Sequence, residues 1–169
     1  MAYSIYDATA PLCAQQLTAL LGICDKAAAH CAEKKIDEAW LLTDRLAPDM
    51  FSLGRQIRQA CDFGRNTVGR LAGVAGPDFP AVDPTTFAEA KDRIQKSLDF
   101  VKSITRAQLE GSEDKQVSWT AGTREMSFKG DAYARWFALP NFYFFCTTAY
   151  NILRHRGVEV SKGDFLGPR

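Results

Sequence analysis

The stretch FALPNFYFFCTTAY, residues 137–150, decides how this chain folds. It carries no charged side chain, and it is too short and too aromatic to span a bilayer. In a soluble protein, a helix that is apolar on every face lies at the centre of a bundle. We therefore expect this stretch to form the central helix and to bury Phe144. Replacement of a buried Phe144 by Ala is expected to lower the free energy of unfolding by about 3–5 kcal/mol.

The last helix, which contains this stretch, is predicted to run from about residue 131 to residue 156. Pro140 has no backbone N–H, so it removes one hydrogen bond and predicts a kink. Basic residues complement the helix dipole in the last turn, and Gly157 then predicts the stop. The few polar side chains of the stretch must find partners inside the core or line a cavity.

The first long helix is predicted over residues 7–34 from a repeating apolar pattern. Its apolar positions are spaced 4, 3, 4, 3 and 4 residues apart, which places them on one face as a heptad seam. The seam consists of Cys13, Leu17, Leu20, Cys24, Ala27 and Cys31. Because half of these side chains are small thiols, a neighbouring helix can approach this face closely.

A short helix over residues 37–47 and a second long helix over residues 48–73 follow, separated by Pro48. The long helix contains Gly54, Gly64 and Gly69, and each glycine costs up to ~1 kcal/mol relative to alanine in a helix interior. These glycines indicate either close contacts between helices or a local bend. The sequence does not choose between the two.

The outer face of the second long helix is charged. Arg58 precedes Asp62 by four residues and Asn66 follows it by four, which is the spacing of an ordinary surface network. Such pairs are worth a few tenths of a kcal/mol each. We expect these side chains to be solvated.

A loop and a small hairpin complete the predicted fold. Residues 73–80 form a loop by their glycine and proline content, and Thr86 with Glu89 predicts a capping box at the next helix. Residues 111–129 alternate between apolar and polar side chains, which predicts a hairpin or extended arm. The sum is all-α: an up-down four-helix bundle with a small hairpin before the last helix, in one domain over residues 1–169.

Composition excludes several classes of partner. The 21 basic and 20 acidic residues are interleaved and leave a net charge of +1, so neither nucleic acid nor an anionic membrane is an expected partner. The amino terminus lacks the basic and apolar regions of a secretory signal. Five cysteines without a C-x-x-C pair are typical of reduced core residues, so we expect a cytoplasmic protein.

No catalytic motif emerges from the sequence. The chain has no phosphate-binding glycine loop and no nucleophile elbow. It contains two histidines, His30 and His155, so three histidines cannot come together around a catalytic zinc. Cys146 lies in an apolar run, where burial raises a thiol pKa and leaves the group inert.

The polar residues of the last helix are the best candidates for a ligand site. We expect a small-molecule pocket between helices, lined by aromatic rings and reached by Asn141, Tyr143 and either Thr147 or Thr148. Asp49, at a helix start, is a further candidate. Each has a structural alternative. Asp49 can serve as a cap, Asn141 can bond the carbonyl that Pro140 leaves free, and the threonines can bond the preceding turn.

Three segments resemble an uncharacterised bacterial family, a domain of unknown function within the DinB/YfiT-like four-helix-bundle superfamily. They are LAPDMFSLGRQI at residues 46–57, residues 137–157, and GDFLG at residues 163–167. The resemblance covers nearly the whole chain and implies a four-helix bundle that forms a homodimer. The aromatic surplus around Trp119, Trp136 and Tyr143 is compatible with an interface.

The wider superfamily implies a metal that this sequence does not support. Its members often bind a divalent metal through three histidines, two of them from a His-x-x-x-His on the last helix. The matching positions here are Phe145 and Ala149, which cannot bind a metal, and the second long helix has no histidine. The fold is therefore expected without a metal or another cofactor.

Two interpretations remain open at this stage. The first is a metal-free small-ligand-binding or interaction module. The second is a metal- or thiol-dependent transferase or isomerase that uses a rebuilt pocket, which is the activity found in parts of the superfamily.

Overall fold

Four long helices dominate the computed structural model, which describes residues 4–168. Residues 1–3, where the amino-terminal segment discussed above begins, and residue 169 lie outside the described part. The long helices are α1 (Ile5–Lys34), α3 (Leu53–Ala72), α4 (Phe87–Ser103) and α7 (Leu139–His155). Between and after them lie α2 (Glu38–Leu42), α5 (Arg106–Leu109), β1 (Gln116–Ala121), β2 (Arg124–Lys129), α6 (Gly130–Ala132), a π-helical segment (Tyr133–Ala138) and α8 (Lys162–Leu166).

The predicted helical bundle is confirmed. Helix α3 packs against both α7 and α4, and α1 packs against α4. All six residues of the heptad seam on α1 are at most 2% exposed. They join one continuous hydrophobic core with the inner faces of α3, α4 and α7.

Helix α3 begins later than the sequence predicted. The prediction placed its start at residue 48, but the helix starts at Leu53. The Ser52 side chain caps it by accepting the Arg55 N–H, and the Leu53 N–H donates to the Asp44 carbonyl at 2.7 Å. The chain before it therefore forms an irregular turn, which leaves Phe51 free to reach α7.

The α4 cap differs in one detail from the predicted capping box. Thr86 caps the helix by accepting the Glu89 N–H at 3.2 Å. The Glu89 carboxylate, however, accepts the backbone N–H of Thr85 at 2.8 Å rather than that of Thr86. The reciprocal bond is therefore made one residue earlier, and it fixes the end of the loop that enters α4.

The hairpin is also confirmed. Strands β1 and β2 are antiparallel, with Val117 opposite Phe128 and Trp119 opposite Met126. The turn between them uses Gly122 at φ 63°, a left-handed conformation that glycine adopts without steric cost. Val117 is buried and Trp119 is partly buried, so this face of the hairpin lies against the bundle.

The π-helical segment lies immediately before Pro140. The Leu139 N–H donates to the Ala134 carbonyl, five residues back, as in a wide π turn. Because Pro140 has no N–H to continue the ladder, the predicted disturbance of the helix takes the form of this wide turn.

The glycines of α3 mark close contacts. A Cβ built on Gly54 would lie 2.9 Å from the Pro84 carbonyl oxygen, and one on Gly64 would lie 3.0 Å from the Phe142 ring. Of the two explanations that the sequence left open, close contact between neighbouring elements therefore applies to Gly54 and Gly64, rather than a bend in the helix.

The prediction that Phe144 is buried is wrong. Its side chain is 53% exposed, whereas Phe142 and Ala149 on the same helix are fully buried. Each helix of a four-helix bundle has one outer face, so even an almost entirely apolar helix presents some residues to solvent. No helix within residues 4–168 combines the length and apolar character needed to cross a membrane.

Candidate functional site

A chain of aromatic contacts runs along the side of the bundle where α3, α7 and the hairpin meet. We call it the aromatic band. Phe51 comes from the turn before α3, Phe63 from α3, and two rings come from the hairpin. Its members are Phe51, Phe63, Trp119, Phe128, Tyr133, Phe137, Phe144 and Phe145.

Phe145 is the centre of one end of the band. Its ring centroid lies 6.4 Å from that of Phe51, 5.4 Å from Phe63 and 5.5 Å from Phe144. Buried Gln56 donates from Nε2 to the Phe51 carbonyl at 3.1 Å and holds the turn in place. Rings at these separations attract one another beyond the burial of their area.

The hairpin covers the other end of the band. The Phe137 ring lies 5.1 Å from Trp119 and 5.5 Å from Phe128. The Tyr133 hydroxyl donates to the Asn66 carbonyl at 3.0 Å, and burial raises the pKa of this phenol. The Arg70 guanidinium lies 4.2 Å from the Trp119 ring centroid, so a cation–π contact also holds the hairpin on α3.

The outer face of α7, together with Trp136 from the π-helical segment before it, carries no charged side chain as far as Leu153, and exposed Arg154 and His155 follow. We define this face as the solvent-side stripe Trp136, Pro140, Tyr143, Phe144, Thr147 and Asn151, which recurs at helical spacing. Trp136 is 76% exposed and Phe144 is 53% exposed. The whole segment from Trp136 to Leu153 contains no Asp, Glu, Lys, Arg or His.

The five residues predicted to bind a ligand do not share one position. Asp49 lies in the exposed turn before α3, and Tyr143 and Thr147 lie on the outer face of α7. Asn141, partly buried, and Thr148, buried, lie beside this face and bond backbone. The Asn141 Nδ2 donates to the Phe137 carbonyl, and the Thr148 hydroxyl donates to the Phe144 carbonyl, each at 2.7 Å.

One of the structural alternatives is therefore realised, that of Thr148, and that of Asn141 is not. Thr148 bonds the preceding turn as the alternative states. Asn141 bonds the carbonyl of Phe137, not that of Trp136, which Pro140 would meet in a regular α-helix. A ligand role for the five residues stays a prediction.

The core thiols lie in an environment that suppresses their chemistry. All five cysteines are free and buried. Burial raises the pKa of Cys13 and of Cys61 to about 12, and it raises that of Cys146 well above its ordinary value. The thiolate is the reactive form of cysteine, so none of these groups is activated for transfer chemistry.

Comparison with known proteins places the chain in a family. Residues 5–166 match the family model described as the domain of unknown function DUF1993. The chain belongs to this family. It is also similar to a DinB family member protein from Shewanella denitrificans whose crystal structure is known at 1.83 Å. The identity is 38%, the TM-score is 0.88, and the match covers 98% of this chain and 93% of that one. Comparison with curated proteins finds no match.

The DUF1993 chain does not fit the metal that the wider superfamily implies. Phe145 is enclosed by three rings and Ala149 is fully buried, and neither has a donor atom. Across residues 4–168, no group of three His, Cys, Asp or Glu side chains lies close enough together to hold a metal ion. At the two positions where the resemblance places the metal ligands of the last helix, this DUF1993 protein has the apolar side chains of Phe145 and Ala149.

Two larger grooves lie elsewhere on the described surface. One, of about 630 Å³, lies between the start of α1 and the π-helical segment. The other, of about 620 Å³, lies between residues 77–84 and α4, and we call it the loop groove. None of the five predicted ligand residues lines either groove.

Two features of this DUF1993 protein escaped the sequence analysis. The outer face of α7 had a visible signal, because an uncharged stripe at helical spacing is unusual on a bundle surface. The loop groove had none, because its walls are brought together by contacts between residues far apart in sequence, such as Arg58 with Asp83.

Proposed function

We propose that this DUF1993 protein is a metal-free interaction module, that its binding surface is the outer face of α7, and that a second copy of the chain covers this face. The observation that carries the proposal is the absence of charge over this face from Trp136 to Leu153, together with its exposed rings.

The contrast with the other helices supports this choice of face. The exposed positions of α4 include Asp92, Lys96 and Asp99, and those of α1 include Asp25 and Lys26. Charged side chains of both signs keep such faces in water. Exposed aromatic residues without charges are the composition found in the buried cores of protein interfaces.

The absence of charge also favours a second copy as the occupant. In a two-fold symmetric dimer the same patch is buried on both subunits, so each charge on it is removed from water twice. Between Trp136 and Leu153 the outer face has no charge to remove from water. Phe51, 39% exposed beside Phe145, marks the edge of this face, because the Arg55 guanidinium lies over its ring at 3.8 Å from the centroid.

Support for an interaction module over a small-ligand pocket comes from the shape of the surface. The rings of the aromatic band pack on one another, and neither Phe144 nor Trp136 lines either of the two larger grooves. We further propose a cytoplasmic location, because five unpaired cysteines suit a reducing compartment.

Sedimentation equilibrium of the full chain tests the proposal. We expect a species of twice the 18.7 kDa chain mass. Trp136→Glu and Phe144→Glu should each yield the monomer, because each would bury an unpaired charge in the apolar interface. Val82→Glu is the matched control, since Val82 is 68% exposed but lies in the loop groove, and it should remain dimeric.

Two results would overturn the proposal. One is a wild-type chain that stays monomeric at concentrations of tens of micromolar. The other is a dimer that survives in both charged variants, which would place the interface on another face. Circular dichroism of each variant separates loss of the dimer from loss of the fold.

A further inference from the structure

Trp136 lacks the partner that the other two tryptophans of the chain have. The Arg70 guanidinium lies 4.2 Å from the Trp119 ring centroid, and the Arg156 guanidinium lies 5.3 Å from that of Trp40. Trp136 is 76% exposed, and within the described part of the chain neither a cation nor a second ring stacks on it. Because an indole is the best aromatic face for a cation, Trp136 presents an unused cation–π site on the outer face of α7.

Arg154, at the other end of the same face, has a guanidinium that can fill such a site. It is exposed, and among the described residues no ion pair involves it. Its Nη1 donates to the Val158 carbonyl at 3.5 Å, which is a long and therefore weak bond. Arg135, the neighbour of Trp136 in sequence, is instead paired with Asp131. The exposed indole and the unpaired guanidinium thus lie at opposite ends of the outer face.

The two groups cannot meet within one chain, but they are placed symmetrically along it. At a rise of 1.5 Å per residue, roughly 27 Å of helix separates Trp136 from Arg154. The midpoint between Phe144 and Thr147, the exposed centre of the face, lies roughly 14 Å from Trp136 and 13 Å from Arg154. A two-fold axis that crosses the helix at this midpoint therefore brings each of the two groups opposite the other in the second copy.

The basic end of α7 selects between the two ways in which a two-fold axis can pair the helix with its copy. An axis parallel to the helix places each residue at the same height as its own copy, so Arg154 would lie beside the partner's Arg154. Like charges placed side by side oppose binding, and the two helix dipoles would also be parallel. An axis perpendicular to the helix pairs the copies antiparallel, which separates the basic ends and places each over an indole.

We infer, on the basis of the proposed dimer, that α7 pairs antiparallel with α7 of the second copy and that Trp136 is covered by the partner's Arg154. The two-fold axis makes this contact twice in each dimer. The cation–π site at Trp136 is therefore complete only when two copies associate. Arg154 also gives the uncharged face a direction, because it stabilises one of the two possible pairings and not the other.

Cross-linking of introduced cysteines with a short bismaleimide tests the orientation on the full chain. Arg135 and His155 are exposed at the two ends of the face and lie roughly 30 Å apart in one chain, too far to be linked to each other. The double variant Arg135→Cys, His155→Cys should give a cross-linked dimer, whereas each single variant should give none. Parallel pairing predicts the reverse for the single variants. The five native cysteines are buried and do not compete for the reagent.

Removal of the guanidinium tests the contact itself. Arg154→Ala should raise the dissociation constant of the dimer, measured by sedimentation equilibrium, by about tenfold or more, because a cation–π contact is lost twice. Arg154→Lys keeps a cation and should weaken the dimer less. Arg124→Ala is the matched control. Arg124 is an exposed arginine of the hairpin that has no ion pair among the described residues, and its loss should leave the dissociation constant unchanged.

Three outcomes would overturn the inference: cross-links in the single cysteine variants, a dimeric double variant that gives no cross-link, or an unchanged dissociation constant in Arg154→Ala. In each of them the chain is still a dimer, so the proposed function stands while the antiparallel pairing fails. A wild-type chain that stays monomeric overturns both. The two failures are therefore distinguished by the sedimentation of the wild type.

Discussion

The outer face of α7 and the loop groove both expose apolar side chains, but they differ in the charges around them. Trp136 and Phe144 lie on a stripe without a charge, whereas Val82 lies beside carboxylates. An uncharged apolar face can be placed against a copy of itself, whereas the loop groove is lined by charges of both signs, including Arg93 and Lys96, which would have to leave water. The surroundings of an exposed apolar side chain therefore indicate its partner better than its own exposure does.

A second comparison lies within α7, between its inner and outer faces. Phe142→Ala should lower the free energy of unfolding by about 3–5 kcal/mol, because Phe142 is fully buried against α3. Phe144→Ala should cost less than about 1 kcal/mol in the monomer, because half of that ring is already in water.

Chemical unfolding of the two variants, in a background that carries Trp136→Glu to keep the chain monomeric, measures this difference. Equal losses from Phe142→Ala and Phe144→Ala would show that α7 is rotated from the orientation described above. The separation of inner core from outer binding face would then fail.

The contact between α3 and the loop gives the next largest expected effect. Gly54→Ala should destabilise the protein by about 1–3 kcal/mol, because the new Cβ would lie 2.9 Å from the Pro84 carbonyl oxygen. Gly22→Ala is the matched control in α1, where no atom lies within 4 Å of the new Cβ, and it should add up to about 1 kcal/mol.

Thermal and urea unfolding of the Gly54→Ala and Gly22→Ala variants measure these two changes in the free energy of unfolding. If Gly54→Ala were as stable as the wild type, the loop would not rest on α3 as closely as the structure places it.

The smallest expected effect is the reaction of the native cysteine thiols with a thiol reagent, which should be negligible. No cysteine of the folded protein should react with a thiol-selective disulfide reagent near neutral pH, because every one is buried in the protonated form. All five should react after unfolding in guanidinium chloride. Rapid modification of one native thiol, identified by mass spectrometry, would instead revive the thiol-dependent transferase interpretation.

Local patterns predicted the elements of this fold well. The heptad seam of α1, the Thr86 cap and the alternation around Trp119 each depend on residues close in sequence, and each is present. The family resemblance is confirmed by the match over residues 5–166.

What could not be predicted depends on contacts between distant segments. Where almost every residue is apolar, as around Phe144, the sequence does not determine how the helix is rotated in the bundle. The charged face of α3 was expected to be a solvated network, yet Arg58 pairs with Asp83 and Asp62 with Arg65 and Arg93. Only the path of the connecting loop brings those partners together.

The π-helical segment has a consequence for how the two ends of the last helix are oriented. Downstream of it, Phe142 sets the rotation of the helix against the Gly64 surface of α3. At the first residue of the segment, the bond from the Tyr133 hydroxyl to the Asn66 carbonyl sets the rotation under the hairpin. A π-helical turn contains more residues than an α-helical turn. It therefore lets the side chains before and after it point in directions that an unbroken α-helix could not combine. The hairpin and the core can therefore each keep their own alignment with a single continuous helix.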